Sequence, residues 1–311
     1  MTIALDMMGG DFAPAEAVKG VDLFLKETLS PVNLLLIGDE QQVSFLLHHS
    51  GISSSAITIV HAPQVIGMQE HPTKALKEKP HSSIAIGFGL LASGKCGAFI
   101  SAGNTGAMPV GALYSIKAIA GVLRPSISSI IPKDNGGIGL LLDVGLNADC
   151  KAEHLNQFAL MGSLYARFIS GIDHPRVGLI NIGEEEGKGN LLTQSAYQLL
   201  KENTAINFIG NIEGRDIVKD KADVMVCEGF TGNIILKMAE SFYETTKERK
   251  INDDFLGRFN FELYGGTPVL GVNKPVIIGH GISHATAFVN MIRLAQKMAA
   301  SDLMDKMRAA F

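Results

Sequence analysis

Cysteine is scarce, and the three present, Cys96, Cys150 and Cys227, are odd in number and far apart. A disulfide framework and a CxxC-type zinc site are therefore not expected, whereas a reducing compartment is. An excess of charge is missing too. With 27 Lys and Arg against 31 Asp and Glu, the net charge of −4 gives no global field for nucleic acid or an anionic bilayer, so a basic partner site has to be a local patch. No apolar run approaches the roughly 18 residues of a spanning helix, the nearest being broken by Lys95. The opening MTIALDMMGGD has neither the basic region nor the apolar stretch of a signal peptide, so the expected location is the cytoplasm. There is no GxSxG elbow and no P-loop spacing with its lysine, and GFGLLA (87–92), a loose dinucleotide pattern, falls inside a helix-like run. Neither a metal nor a cofactor is expected.

What the chain does have is apolar content, 46% of 311 residues, enough for one large α/β domain spanning 1–311 or two closely joined lobes. TIALD, VNLLLI, AITIVH and GAFIS are short β-type runs, each followed by a helical stretch, which is the pattern of a parallel sheet. In the first helix Ala17, Val21, Phe24 and Leu25 share a face. SISSIIP and IGLLLD flank the turn-rich KDNGG, predicting a hairpin and hence a mixed sheet. Leu155, Phe158, Tyr165 and Ile169 line another helix, VGLINIG, AINFIG and ADVMVC resume the strands, and Ala285, Phe288, Ile292, Ala295 and Ala299 mark a C-terminal helix. The expected fold class is a three-layer α/β/α arrangement with a mostly parallel mixed sheet.

Six stretches carry polar groups at strand-to-helix junctions. SAGNTGA (101–107) joins an apolar strand to a helix start, where free N–H groups and the helix dipole favour an anion. Gly103 and Gly106 admit the anion, and Ser101, Asn104 and Thr105 add side-chain donors; an ordinary capped βα turn is the competing reading. DMMGGD places Asp6 at the end of the first strand and Asp11 beyond two glycines, as groups orienting donors or a basic side chain, with Asp11 as a helix cap the alternative. LLLDVGLN repeats the pattern with Asp143 and Asn147. NIGEEEGKGN offers Lys188 between glycines for a phosphate oxygen or an oxyanion. EGFTGN sets Thr231 and Asn233 near another helix start, ahead of Ile235, Met238 and Phe242, and GHGISHATA carries His280 and His284, the former the better candidate acid or donor.

These motifs occurring in order, together with YGGTPVLG, resemble the bacterial phosphate acyltransferases of the PlsX family over 3–299. The resemblance implies a fold related to the phosphotransacetylase and isocitrate or isopropylmalate dehydrogenase group, usually as a homodimer. It also implies transfer of a long acyl chain from acyl carrier protein to inorganic phosphate, giving an acyl phosphate that a membrane glycerol-3-phosphate acyltransferase consumes. The stretch 236–264 is shorter than the family's hydrophobic tip, which weakens the implied peripheral membrane contact, and Met7 and Ile282 are further departures.

Phosphate is already an anionic nucleophile and a thiol of pKa ~8.5 leaves readily, so direct attack without an acyl-enzyme is the expected mechanism. The backbone of 101–107 and Lys188 would hold phosphate, and Asn233 or His280 would donate to the oxyanion. Acyl carrier proteins are acidic, so Lys74, Lys77 and Lys79, with Arg124, form the expected docking patch; a merely solvated face is the alternative. A short-chain phosphotransacetylase using acyl-CoA, a dehydrogenase of related fold and a noncatalytic acyl-carrier scaffold are the competing functions.

Overall fold

Strands buried on both faces need apolar side chains at every position, and TIALD meets that demand from Ile3 onward, ending in a buried Asp6. The computed structural model describes residues 1–27 and 32–311. A first compact unit, Met1–Ala118 with Glu262–Ala300, opens with β1 (Thr2–Asp6), α1 (Ala15–Glu27), β2 (Asn33–Gly38), α2 (Glu40–His49), β3 (Ile57–His61), α3 (Pro72–Glu78), α4 (Ser83–Ala92), β4 (Ala98–Ser101) and α5 (Ala107–Ser115). The chain then builds a second unit, Ile119–Phe261 with Ser301–Phe311. Its elements are β5 (Ser126–Pro132), β6 (Ile138–Leu142), α6 (Ala152–Phe168), β7 (Arg176–Ile180), α7 (Leu191–Glu202), β8 (Asn207–Ile212), β9 (Val224–Val226), α8 (Gly229–Glu248) and α9 (Asp254–Gly257). It returns to the first unit for β10 (Thr267–Leu270), β11 (Val276–Ile278) and α10 (Ala285–Ala300), and closes in the second with α11 (Leu303–Ala310).

Within the first unit the strand order is β3-β2-β1-β4-β11-β10, parallel except for β10 against β11. Leu5 pairs with Ile100 and Ile278 with Ser101. This register brings the carboxyl ends of β1, β4 and β11 level, so the loops that follow them emerge side by side. Ala17, Val21 and Phe24 of α1 are buried and Leu25 lies at the margin. Gly20 leaves room for Phe288 of α10, and Phe88 of α4 meets Phe99 edge-on with centroids 5.0 Å apart. Each such ring or branched side chain contributes about 1.5–3 kcal/mol by leaving water.

In the second unit the order is β5-β6-β9-β7-β8, with β5 antiparallel to β6 and the other neighbours parallel. The expected hairpin is there: the Gly137 amide donates to Asn135 Oδ1 at 2.8 Å, and Gly136 takes a φ of +89° that a side chain would resist. Leu155, Phe158, Tyr165 and Ile169 are buried, as the period of α6 requires. The α8 pattern comes out differently. Its large exposed side chains are Phe230, Ile234, Met238 and Phe242, four apart, whereas Ile235 is only partly covered; Phe242, Phe255 and Phe259 form an edge-to-face cluster. The C-terminal helical stretch is two helices, because Ser301 and Asp302 interrupt it and Leu303, Met304 and Met307 turn to bury a face of their own.

Lys133, 2% exposed, lies 2.9 Å from Asp223 and 3.1 Å from Asp220, and Arg176 reaches both carboxylates. Lys133→Ala would remove the buried cation but leave both carboxylates to Arg176, so it should destabilise the unit by less than the about 3–5 kcal/mol of a buried charge left wholly unpaired; an unchanged urea midpoint would contradict this. Burial alone would raise the Asp223 carboxyl, but hydrogen bonds from Arg176 and Lys133 hold it well below the usual carboxylate range. Its folded value is thus below the unfolded one near ~3.9, so its stabilisation is complete above about pH 5, fades as pH falls below the unfolded value, and is lost as pH passes through the folded one. Thermal midpoints measured down the acid limb should fall less steeply in Asp223→Asn than in the wild type.

Candidate active site

The buried Asp6 organises the first unit's loops. Its carboxylate accepts the Met8 amide at 2.9 Å and the Ser101 hydroxyl at 2.7 Å, and Ser101 Oγ in turn accepts the Gly103 amide at 2.9 Å. Burial pushes this carboxyl up against the opposing hydrogen bonds of Ser101, Ser83 and the Met8 and Gly9 amides. The two loops touch backbone to backbone: a Cβ on Gly9 would stand 2.5 Å from the Gly103 nitrogen. The Asp11 amide donates to Gly281 O at 2.7 Å, and α1 begins at Ala15, so Asp11 does not cap it.

Asn104 departs from the expected role of anion donor. Its amide donates to the carbonyls of Gly67 (2.9 Å), Met68 (3.3 Å) and Glu70 (2.9 Å), while its Oδ1 accepts the Ala107 amide at 2.9 Å. The side chain is fully engaged in holding the 67–70 loop and starting α5. Ser101 departs likewise, because its hydroxyl donates its hydrogen bond to the buried carboxylate of Asp6. The donors left for an anion are the amides of Thr105 and Gly106, both exposed and without an acceptor among the described residues. They lie at the start of α5, where the helix dipole adds partial positive charge.

His280 is partly buried, and the Ile282 amide donates to its Nδ1 at 3.4 Å, which assigns the ring proton to Nε2. His284 stacks on Phe12 with centroids 4.6 Å apart and lies 3.6 Å from Glu16. The N-terminus of α10 is already taken by carboxylates, since Glu262 accepts the His284 amide at 2.8 Å and Glu16 the Ala285 amide at 2.9 Å. Among the lysines, Lys79 is tied to Glu70 at 2.6 Å and to Val65 O at 2.8 Å, which removes it from the expected patch. Lys74 is 3.9 Å from Glu78, and Lys77 has no ion-pair partner among the described residues.

The second unit repeats the device. Asp143 at the end of β6 accepts the Asn147 amide (2.6 Å), its Nδ2 (2.8 Å) and the amides of Ile127 (3.1 Å) and Leu146 (3.3 Å). Burial pushes its carboxyl up against those bonds. Asn147 also reaches Pro125 O, and its own carbonyl accepts the Gly229 amide at the start of α8. Glu228 caps that helix, accepting both the amide (3.0 Å) and the hydroxyl (2.5 Å) of Thr231, so Thr231 serves the cap. Asn233 is exposed and donates to Val144 O at 3.2 Å. Lys188 is half-exposed, its nearest acid being Glu185 at 3.9 Å. Arg124 donates to Asp149 O at 2.9 Å.

No described residues gather three His, Cys, Asp or Glu in a metal-holding group. Burial pushes the thiols of Cys96 and Cys150 up to about 11, and that of Cys227 well above its ordinary value, so none is a thiolate near neutral pH. Sequence reading overlooked the 67–70 loop and its Glu70–Lys79 tie, whose partners stand nine residues apart with no local pattern to join them.

The model of the fatty acid synthesis protein family matches residues 1–306. The chain belongs to this family. Its members are acyltransferases: a relative from Dictyoglomus turgidum named phosphate acyltransferase is 44% identical over 98% of this chain and 96% of its own length. One of the same name from Pelotomaculum thermopropionicum is 43% identical over 100% of this chain and 95% of its own. The fold is that of the phosphotransacetylases. A Streptococcus pyogenes phosphotransacetylase superposes with a TM-score of 0.70 at 20% identity, over 96% of this chain and 94% of that one. A branched-chain phosphotransacylase from Enterococcus faecalis gives 0.62 at 15%, over 96% and 99%.

Asn104→Ala would strip a donor from three loop carbonyls and the side-chain acceptor from the Ala107 amide, which keeps the Asn104 carbonyl at 3.0 Å. The carbonyls lie on half-buried or exposed residues, so water replaces part of what is lost; the first unit should lose about 1 kcal/mol or more and amide exchange should quicken across 67–70. Exchange there at the wild-type rate would show that the tether is dispensable.

Proposed function

We propose that the protein transfers a long-chain acyl group reversibly from acyl carrier protein to inorganic phosphate, and that the acyl phosphate feeds a membrane glycerol-3-phosphate acyltransferase in phospholipid synthesis. The observation that carries this reading is the pair of amides of the exposed Thr105 and Gly106 at the start of α5, which have no acceptor among the described residues, in a chain that matches relatives named phosphate acyltransferase along nearly all its length. A phosphate held there presents an oxygen to the thioester carbonyl. The P–O–C bond forms, the C–S bond breaks, and the carrier thiolate leaves to take a proton from solvent. With every cysteine thiol pushed up, an acyl-cysteine intermediate has no ready nucleophile, which supports direct attack.

The partly buried His280 is assigned to donate from Nε2 to the oxyanion, with Asn233 the other candidate donor, and half-exposed Lys188 is assigned to balance phosphate charge. A well-placed donor contributes about 3 kcal/mol to the transition state. In this reading the working form is a cytoplasmic homodimer. The short-chain alternative has support in the phosphotransacetylase fold.

One assay separates the readings: palmitoyl-carrier protein and labelled phosphate, with product trapped by hydroxylamine. Trapped label supports the proposal. Turnover with acetyl-CoA alone supports the short-chain alternative, and none with either supports a noncatalytic scaffold. Lys188→Ala and Asn233→Ala should each lower turnover at least about tenfold with folding intact; a variant at wild-type rate loses its assigned role.

A further inference from the structure

A cavity of about 420 Å³ opens among α3, α4 and α5 of the first unit, away from the loops just described. Its size lies in the small-ligand range. Leu76, Ala85, Phe88 and Tyr114 line it, with the small hydroxyl side chains of Thr73 and Ser115 beside them. The floor is rigid: Phe88 is 1% exposed and braced edge-on by Phe99. On the α5 side Gly111 brings bare backbone against that ring, and any Cβ there would strike it. At the rim stands Lys77, exposed and without an ion-pair partner among the described residues. An apolar slot with an un-neutralised cation at its edge suits an amphiphile whose chain enters and whose acidic end stays in water; the lysine stem extends the apolar wall and its ammonium remains solvated.

The helix α5 connects this slot to the free amides of Thr105 and Gly106. At about 1.5 Å per residue, Gly111 lies roughly 7 Å and Tyr114 roughly 12 Å along the helix from Gly106. An acyl group with its carbonyl at the helix start would need to run only that far to lay its tail in the slot.

We propose that this cavity is the subsite for the distal part of a long acyl chain, with Lys77 facing the acidic carrier outside it. The assignment of the acyl chain rests on the proposed reaction; the binding itself can be tested apart from turnover. The chain contains no tryptophan, so Tyr114→Trp places a sole indole on the cavity wall. Palmitate brominated along its chain, a heavy-atom quencher, should quench that emission saturably. Adding Ala85→Phe, which fills the slot, should abolish the quenching, and the smaller Ala85→Leu should weaken it, a graded response that misfolding would not produce.

In the turnover assay, Ala85→Phe should lower kcat/KM for palmitoyl-carrier protein at least about tenfold and leave octanoyl-carrier protein within about twofold. Absent quenching, quenching indifferent to Ala85, or equal loss for both chain lengths overturns the proposal. Emission that responds to protein concentration and not to the brominated acid identifies a second copy of this chain as the occupant and overturns it too. Should palmitoyl-carrier protein yield no acyl phosphate with the wild type, the proposed reaction fails while quenching still decides whether the slot takes an acyl chain.

Discussion

A carboxylate buried at the end of an apolar strand has to find hydrogen-bond donors at once, and each unit of this chain is arranged around one. Among the described residues no cation pairs with Asp6 or Asp143; backbone amides, hydroxyls and a side-chain amide satisfy them instead. Because those donors come from the following loop and from neighbouring strands, meeting the demand of a single carboxylate fixes the path of several loops. The glycines follow from this. Gly9 against Gly103, and Gly229 against Asn147, sit where two such loops press backbone on backbone and no side chain fits.

One consequence for chemistry is a division of labour within a motif. In SAGNTGA the most polar side chains, Ser101 and Asn104, are buried and committed to neighbours. The groups left facing water at the helix start are peptide N–H donors, which no substitution other than proline removes. An anion site made this way is tolerant of sequence at the atoms that touch the ligand and intolerant at the atoms behind them.

Strands, their apolar faces and their polar ends were legible because burial on both sides leaves a continuous run, as in TIALD and IGLLLD, and the turn chemistry of KDNGG announced the antiparallel pair. Less was legible wherever partners are distant in sequence. Nothing near Asn104 in the chain points to carbonyls 34 to 37 residues earlier, nothing near Lys133 points to acids 87 and 90 residues later, and KALKEK does not reveal that Lys79 folds back on Glu70. On α8 the apolar residues were visible, but which of two adjacent stripes is covered depends on packing that periodicity alone does not encode. The same limit hid the cavity, whose wall comes from three separate helices.

The first unit is discontinuous, its last strands and α10 arriving only after residue 262. During synthesis, β4 therefore waits with an unpaired edge until β11 emerges, and α1 waits for its partner helix α10. The second unit has all of its strands by then and lacks only the short α11. The sheet that is started first is thus completed second, and an exposed strand edge is a standing invitation to wrong pairing for most of that time. A cell making this protein has reason to keep a chaperone near the ribosome until the final turns of α10 are out.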